Sequence, residues 1–524
     1  MWIPSNFPIF VRILETINIS LTGIPTEVKG PSIIKYEFSD ECIVAANSFA
    51  KNRFPDQFLF GFTTSAYQIE GSYNLTDIGE SLWDNVVHLN PRLVKDMSNA
   101  DVAADSYNKF KTDVNLVKNL GANTYRISLS WTRIFPSGFS DYISQDGIRY
   151  YNDLIDEMLK NRITPIVTLY DMDLPFKIQE MGGWANPLII SWFDDFARKA
   201  FSAFGDRVKH WVTVNSPYKL CKKGYGGTVP PGLNLSGIAD YICGHHVLLA
   251  HAKVYSTYDR AFRWKQKGKI GLSLEALWFE SENTSSNEDA RVAEQLFQFA
   301  NGWFLHPILG QSGDYPEMMK KLISNNNKHH DYPLARLPKF KTSEILSIRN
   351  SIDFLGLNYY SASMIEVNNI ESYSECNINR KLTDLLYDDH SDKIISSTKR
   401  IGDSRKSTPW ALEKFLIRIN KDYKVPPIFI TENGYSDNGE LYDMDRTRYY
   451  YEHILQILKI SKMGFDIRGY LFRTLMDCFE WEYGYTKHFG VYHVDYEDQQ
   501  RSRKAKLSTE LIRSIYTNRT IPSV

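Results

Sequence analysis

Short apolar runs recur along the chain from residue 58 onward, separated by stretches patterned for helices. The runs are 58–67, ANTYRISLSW at 122–131, ITPIVTLYD at 163–171, HWVTVN at 210–215, KIGLSLEA at 269–276, IDFLGLNYY at 352–360, PIFITENG at 427–434 and GYLFRTLMD at 469–477. Most are nearly continuous in apolar side chains, as expected of parallel strands buried on both faces. Between several of them lie stretches such as YNDLIDEMLKN at 151–161 and MDRTRYYYEHILQILKISKMG at 444–464, the second ending at a glycine. Apolar positions there recur with a helical period, and a terminal glycine is a common helix stop. Eight such strand–helix units predict an α/β fold, a single (β/α)8 TIM barrel with extended βα loops. An open doubly wound sheet would be favoured by a glycine-rich phosphate loop after the first strand, and none follows 58–67. Residues 1–50 show no clear period, so the expected division is an N-terminal extension over 1–50, poorly structured or processed, and a barrel over 51–518.

Function in such a barrel sits at the C-terminal ends of the strands. Reading those ends gives Gln68, then Arg126 and Trp131, then Asp171 and Asp173. Asn215 and Ser216 follow, then Asn358 and Tyr360, Glu432 and Asn433, and finally Arg473, Glu480 and Trp481. Any one of these has a plain structural reading: Asp and Asn cap helices, and an arginine pairs with a neighbour. Their recurrence at strand ends favours a site. Carboxylates, amides and aromatics on one face suit a polyol or sugar pocket worked by carboxylate chemistry. No His/Cys ligand set accompanies them, so neither a metal nor a cofactor is expected.

Composition narrows the partners. The chain has 524 residues, 43% hydrophobic and 23% charged, with a formal net charge of -1. That charge gives no reason to expect nucleic acid or an anionic membrane. Aromatics reach 14%, with 11 Trp and 32 Tyr; these suit sugar ligands and large cores alike. Of the five cysteines, Cys221 and Cys243 flank the loop KKGYGGTVPPGLNLSG, a placement compatible with a bridge that spacing alone leaves open. The N-terminal segment MWIPSNFPIFVRILETINIS is interrupted by Arg12 and Glu15. It makes a poor signal peptide and is too short an apolar run to span a membrane. Glycosylation sequons at Asn18, Asn74, Asn234, Asn283 and Asn518 lean weakly toward the secretory route.

Several longer blocks are recognisable: FPDQFLFGFTTSAYQIEG, YRISLSWTRIFPSG, FGDRVKHWVTVNSP, LLAHAKVY, DFLGLNYY, ITENG and FEWEYGYTKHFGVYHVD. Together they make the chain, from about 53 to 515, resemble glycoside hydrolase family 1, the β-glucosidase and myrosinase family. The resemblance implies a retaining mechanism with two carboxyl groups, one attacking the anomeric carbon and one moving the proton. The family's nucleophile motif falls on ITENG and implies Glu432. Its acid/base motif falls on Asn215-Ser216-Pro217, so the second carboxyl is replaced by Ser216. A serine hydroxyl titrates far too high to serve as proton donor, and general acid/base assistance is worth about 10²–10⁴ in rate.

Two further departures touch the sugar subsite. A family histidine is Asp171, and a family tryptophan that stacks on the ring is Arg473. Gln68, Asn215, Tyr360, Glu480 and Trp481 match sugar-contacting or nucleophile-supporting positions, and Arg126 lies beside the nucleophile. Asp171 and Arg473 are opposite charges, and burying either alone costs several kcal/mol; the expectation is that they pair and fill part of the subsite. Arg473 holding an anionic group on a modified sugar is the rival. The expected ligand is a β-glycoside or sugar-like molecule, with hydrolysis of ordinary β-glucosides weak or absent. An O- or S-glycosidase acting on activated leaving groups, or a transglycosylase, is the alternative, and klotho-type relatives make a binding role compatible with the family. Aglycone choice falls to the loops 219–240, 310–345 and 365–410, which show no clear preference; a protein partner is not indicated.

Overall fold

The computed structural model describes residues 52–75, 77–329, 335–365 and 407–522. The expected extension over 1–50 and most of the expected loop 365–410 lie outside them, as do Cys42, Cys376 and Asn18. Eight parallel strands close a barrel. They are β1 (Leu59–Thr63), β2 (Thr124–Ser128), β3 (Thr164–Tyr170), β4 (His210–Asn215), β5 (Lys269–Glu275), β6 (Phe354–Tyr359), β7 (Ile428–Asn433) and β8 (Ile467–Arg473). Each falls within or against one of the eight apolar runs. The order is sequential, and β1 pairs with both β2 and β8, so no strand is left as an edge.

The barrel interior is filled, not hollow. Ile166, Val212, Phe354, Phe429 and Leu471 form one buried cluster with Leu59 packed against it. They come from different strands and point inward at one level, the layered filling that closes a barrel of this size. Outward-facing side chains meet the helices. The helix α1 (Gln145–Lys160) begins where Ser144 accepts a hydrogen bond from the Gly147 amide, and it buries Tyr151, Leu154, Ile155 and Met158. An N-cap of this kind contributes about 1 kcal/mol. The helix α2 (Ala239–Ala261) packs beside Ile189–Phe204. The helix α3 (Met444–Lys462) stops at Gly464, whose φ of +94° suits glycine because no Cβ opposes it.

Two register shifts matter for what sits above this core. Along β4, three residues separate Val212 from Asn215, while two on β5 separate their partners Gly271 and Ser273. Along β7, Ile430 to Glu432 spans two residues, against one on β6 from Leu357 to Asn358. Each extra residue is a bulge, which re-aims the side chains that follow it. Phe429 lies inward, so strict alternation would turn Glu432 outward. The bulge lets Glu432 join the inward tier above the filled core.

Cys221 and Cys243 form a disulfide, with Cα atoms 5.5 Å apart, closing the bridge that spacing left open. It ties the segment after β4 to the start of α2. Among the described residues, no helix is long and apolar enough to cross a membrane.

Candidate active site

At the mouth of the barrel Glu432 is the hub. Arg126 Nη1 donates to its Oε1 at 2.8 Å, and Asn215 Nδ2 donates to the same oxygen at 3.0 Å. Tyr360 OH donates to Oε2 at 2.5 Å. Arg473 Nε lies 3.7 Å from Oε2. Burial alone would raise the Glu432 pKa, but Arg126, Arg473 and the Tyr360 hydroxyl outweigh it and hold the carboxyl below its usual range. It therefore stays ionised.

The groups that hold Glu432 are themselves held. Arg126 also donates to Thr168 Oγ1 through Nε and to Thr63 Oγ1 through Nη1. Thr63 pairs with Arg126 on β2 and with Arg473 on β8, so both arginines rise from one level of the barrel. The Tyr360 carbonyl accepts from Tyr449 OH on α3. Burial and the neighbouring Glu432 charge push the Tyr360 phenol well above its ordinary pKa, so it remains a donor.

Ser216 ends the adjacent arm. It follows β4 directly and adopts φ +52°, an uncommon conformation outside glycine. Its amide donates to Ser273 O on β5 at 2.9 Å. Its Oγ accepts from Asn358 Nδ2 at 3.1 Å, and the same amide nitrogen donates to Asn215 Oδ1 at 2.9 Å. Thr431 fixes Asn358 by donating to its Oδ1. The hydroxyl at 216 is thus one member of an amide network that ends on Glu432.

The two altered positions do not pair with each other. Arg473 instead grips Glu480, with Nη1 and Nη2 each 2.8 Å from a different carboxylate oxygen. The fork geometry of guanidinium and carboxylate explains the preference, because two parallel charge-assisted bonds form at once. Arg473 Nη2 also reaches Gln68 Oε1 at 3.3 Å, and its guanidinium lies 4.8 Å from the Phe489 ring centroid. Gln68 is anchored by donating to Phe479 O at 2.6 Å. Asp171 takes a neutral partner: Asn215 Nδ2 donates to its Oδ1 at 3.0 Å. Burial first and the Glu432 charge second raise the Asp171 pKa, against the pull of Arg126 and Arg473. Asp173 is pushed further up, by burial and then by Asp171.

Trp481 stacks on Tyr67 at 5.8 Å with 9° between planes and packs against Trp83. Trp131, read from its strand end as a site residue, is instead a core residue. Its indole donates to Gly138 O and its ring stacks on Phe196. Asn433 likewise serves packing, donating to Tyr359 O and Tyr449 OH.

One carboxyl at the mouth escapes the strand-end reading. Glu275 is the last residue of β5, and its position in KIGLSLEA was the available signal. It pairs in register with Asn358 on β6, which pairs with Glu432 on β7. A further group, Asp477, His488 and His493, brings ligand-type atoms within 4.8 Å of one another. Lys506 already stands 2.9 Å from Asp477, and that cation argues against a metal there.

The comparisons with known proteins agree with this fold. The sequence profile of Glycosyl hydrolase family 1 matches residues 50–521. Myrosinase 1 of Brevicoryne brassicae is 40% identical over 467 residues, covering 88% of this chain and 98% of that one. Lactase/phlorizin hydrolase of Rattus norvegicus is 38% identical over 505 residues, 95% of this chain but 26% of that longer protein. Among solved structures, aphid myrosinase superposes with a TM-score of 0.82 at 37% identity, covering 89% of this chain and all of that one. A closed parallel barrel, a profile match across nearly its whole length and these relatives together place the chain in glycosyl hydrolase family 1.

Proposed function

We propose that this chain is a retaining-type glycosidase homologue with a competent nucleophile, Glu432, and no proton-transfer group at Ser216. Hydrolysis of ordinary β-glucosides is then weak or absent. The observation that carries this reading is the contrast between the two positions. Glu432 is ionised between two arginines, an amide and a phenol, whereas Ser216 is held by the Asn358 amide and brings no carboxyl of its own. An attacking carboxylate without an acid can still displace a leaving group that departs as a stable anion, since such a group needs no proton. Similarity to a myrosinase favours this second reading, activity on O- or S-glycosides with activated aglycones. Gln68, Asn215, Glu480, Trp481, Tyr360 and Arg126 are the sugar-binding and supporting residues on either reading. Arg473 and Asp171 reshape the subsite, with Arg473 occupying the space beside Glu480 and Gln68. A secretory location accords with the Cys221–Cys243 bridge and with the exposure of Asn74, Asn234, Asn283 and Asn518, because disulfides persist in oxidising compartments.

Labelling with a 2-deoxy-2-fluoro-β-glucoside bearing a dinitrophenolate leaving group tests the reading. A mass adduct that maps to Glu432 and disappears in Glu432→Gln is the expected result. An unlabelled protein would mean that the barrel binds without reacting.

A further inference from the structure

We propose that Glu275 is the general base of this site, activating the water that releases the sugar from Glu432. The inference rests on the reading of Glu432 as nucleophile and goes one step past it. The water oxygen bonds to the anomeric carbon while the bond from that carbon to Glu432 breaks. Glu432 leaves as carboxylate, and the water's proton passes to Glu275.

Position comes first. β5 neighbours β4, so Glu275 ends the strand beside the one that leads into Ser216, and the Ser216 amide is bonded to Ser273 on that same strand. Glu275, Asn358 and Glu432 stand at one level on three successive strands. Two strand spacings separate Glu275 from Glu432, a backbone distance of about 9–10 Å. Side chains leaning inward from such positions can bring their carboxyls to the about 5–5.5 Å that a retaining pair uses. The carboxyl lost at 216 thus has a counterpart one strand over.

The carboxyl is also fixed and partly free. Its Oε1 accepts the Lys219 amide at 2.9 Å, which pins the side chain against the segment that follows Ser216. Its Oε2 is buried with no hydrogen-bond partner among the described residues, while the residue as a whole is half-buried. Lys219 extends across the mouth, with Nζ 5.9 Å from the Trp481 ring centroid. A helix-capping role alone would account for Oε1 and leave Oε2 unexplained.

The chemistry fits the task. Burial raises the Glu275 pKa to about 7, opposed by the Lys219 amide and ammonium and reinforced by the Glu432 charge. The β6 neighbour Asn358 is neutral, and the packed segment Gln298–Gly302 carries no titrating side chain. Once the glycosyl ester forms, Glu432 loses its charge and its smaller share in raising Glu275, beside that of burial, disappears. Glu275 then ionises more readily at the moment a base is needed.

The test compares wild type with Glu275→Gln, each labelled as above, and follows loss of the adduct in water and in azide. Expected are an adduct on Glu432 in both proteins and release from the variant slower by about 10²-fold. Azide attacks without a base, so it should restore release in the variant far more than in wild type. Wild-type release should rise with pH through neutrality and the variant's should be flat. Equal release rates, or equal acceleration by azide, would overturn the role of Glu275. A wild-type adduct that water never releases would do the same while leaving the nucleophile standing. Failure of both proteins to label overturns the nucleophile reading and this inference with it.

Discussion

Arg473 and Glu480 face each other as guanidinium and carboxylate, joined by two hydrogen bonds of 2.8 Å each, with both side chains buried. Glu480 is thereby also engaged by a protein partner at a position where the family resemblance expects a sugar contact. The burial of Arg473 is compensated twice, by Glu480 and at longer range by Glu432. Asp171 is left to an amide donor.

Glu480→Gln is expected to destabilise the fold by about 3 kcal/mol, because a buried guanidinium loses its main counter-charge. The double replacement Arg473→Leu with Glu480→Leu should recover much of that loss, since a buried pair is often no better than a packed apolar one. Denaturant midpoints of the two variants decide this. Equal midpoints for Glu480→Gln and wild type would mean that Glu432 alone satisfies Arg473.

The Cys221–Cys243 bridge closes a loop 22 residues apart in sequence. Removing such a cross-link costs about 3 kcal/mol in the chain-entropy account. Cys243→Ser should therefore unfold at lower denaturant than wild type, and wild type in reductant should approach it. Unequal midpoints for those two samples would implicate lost packing at 243 in addition to the lost cross-link.

The eight strands were legible because burial on both faces writes them as apolar runs, and β4 and β7 were placed almost to the residue. The bulges on those two strands were not. One extra residue leaves an apolar run apolar, yet it decides which side Glu432 faces. Charge complementarity suggested Asp171 as a partner for Arg473, but Asp171 is instead engaged through Oδ1 by Asn215. Glu480, seven residues on, offers two in the geometry of the fork. Trp131 shows the converse error: its place in the sequence matched a strand end, and only packing against Phe196 reveals core. Glu275 went unread because nothing in KIGLSLEA separates a capping carboxylate from a working one until its register with Glu432 is known.

Asp173 should make stability fall as pH rises. Its pKa in the folded state is raised by burial and by Asp171, whereas in the unfolded chain it titrates near about 3.9. Between these values the folded state binds more protons, so unfolding free energy declines with increasing pH. Asp477 acts oppositely. Burial raises it, but His488, His493 and Lys506 prevail and hold it low, so its contribution is lost only in acid below about 3.9. Asp173→Asn should flatten the decline above mildly acid pH and leave the acid limb in place. Denaturant midpoints across pH measure both, and an unchanged slope in the variant would remove Asp173 as the cause.

Ser216→Glu returns a carboxyl to the end of β4, and its effect should depend on the leaving group. A poorly departing aglycone needs a proton, so its hydrolysis should rise by as much as about 10²–10⁴. A dinitrophenolate needs none, so its release from the sugar should change little. The comparison is made on one sugar with two aglycones, by initial rates. Because both substrates share the subsite shaped by Arg473 and Glu480, binding there cancels in the ratio of the two gains. A ratio well above one assigns the limit on hydrolysis to proton transfer at 216. Equal gains, or none, would move the limit to the subsite. Arg473, held between Glu480 and Glu432, would then be the residue that keeps an ordinary glucoside out.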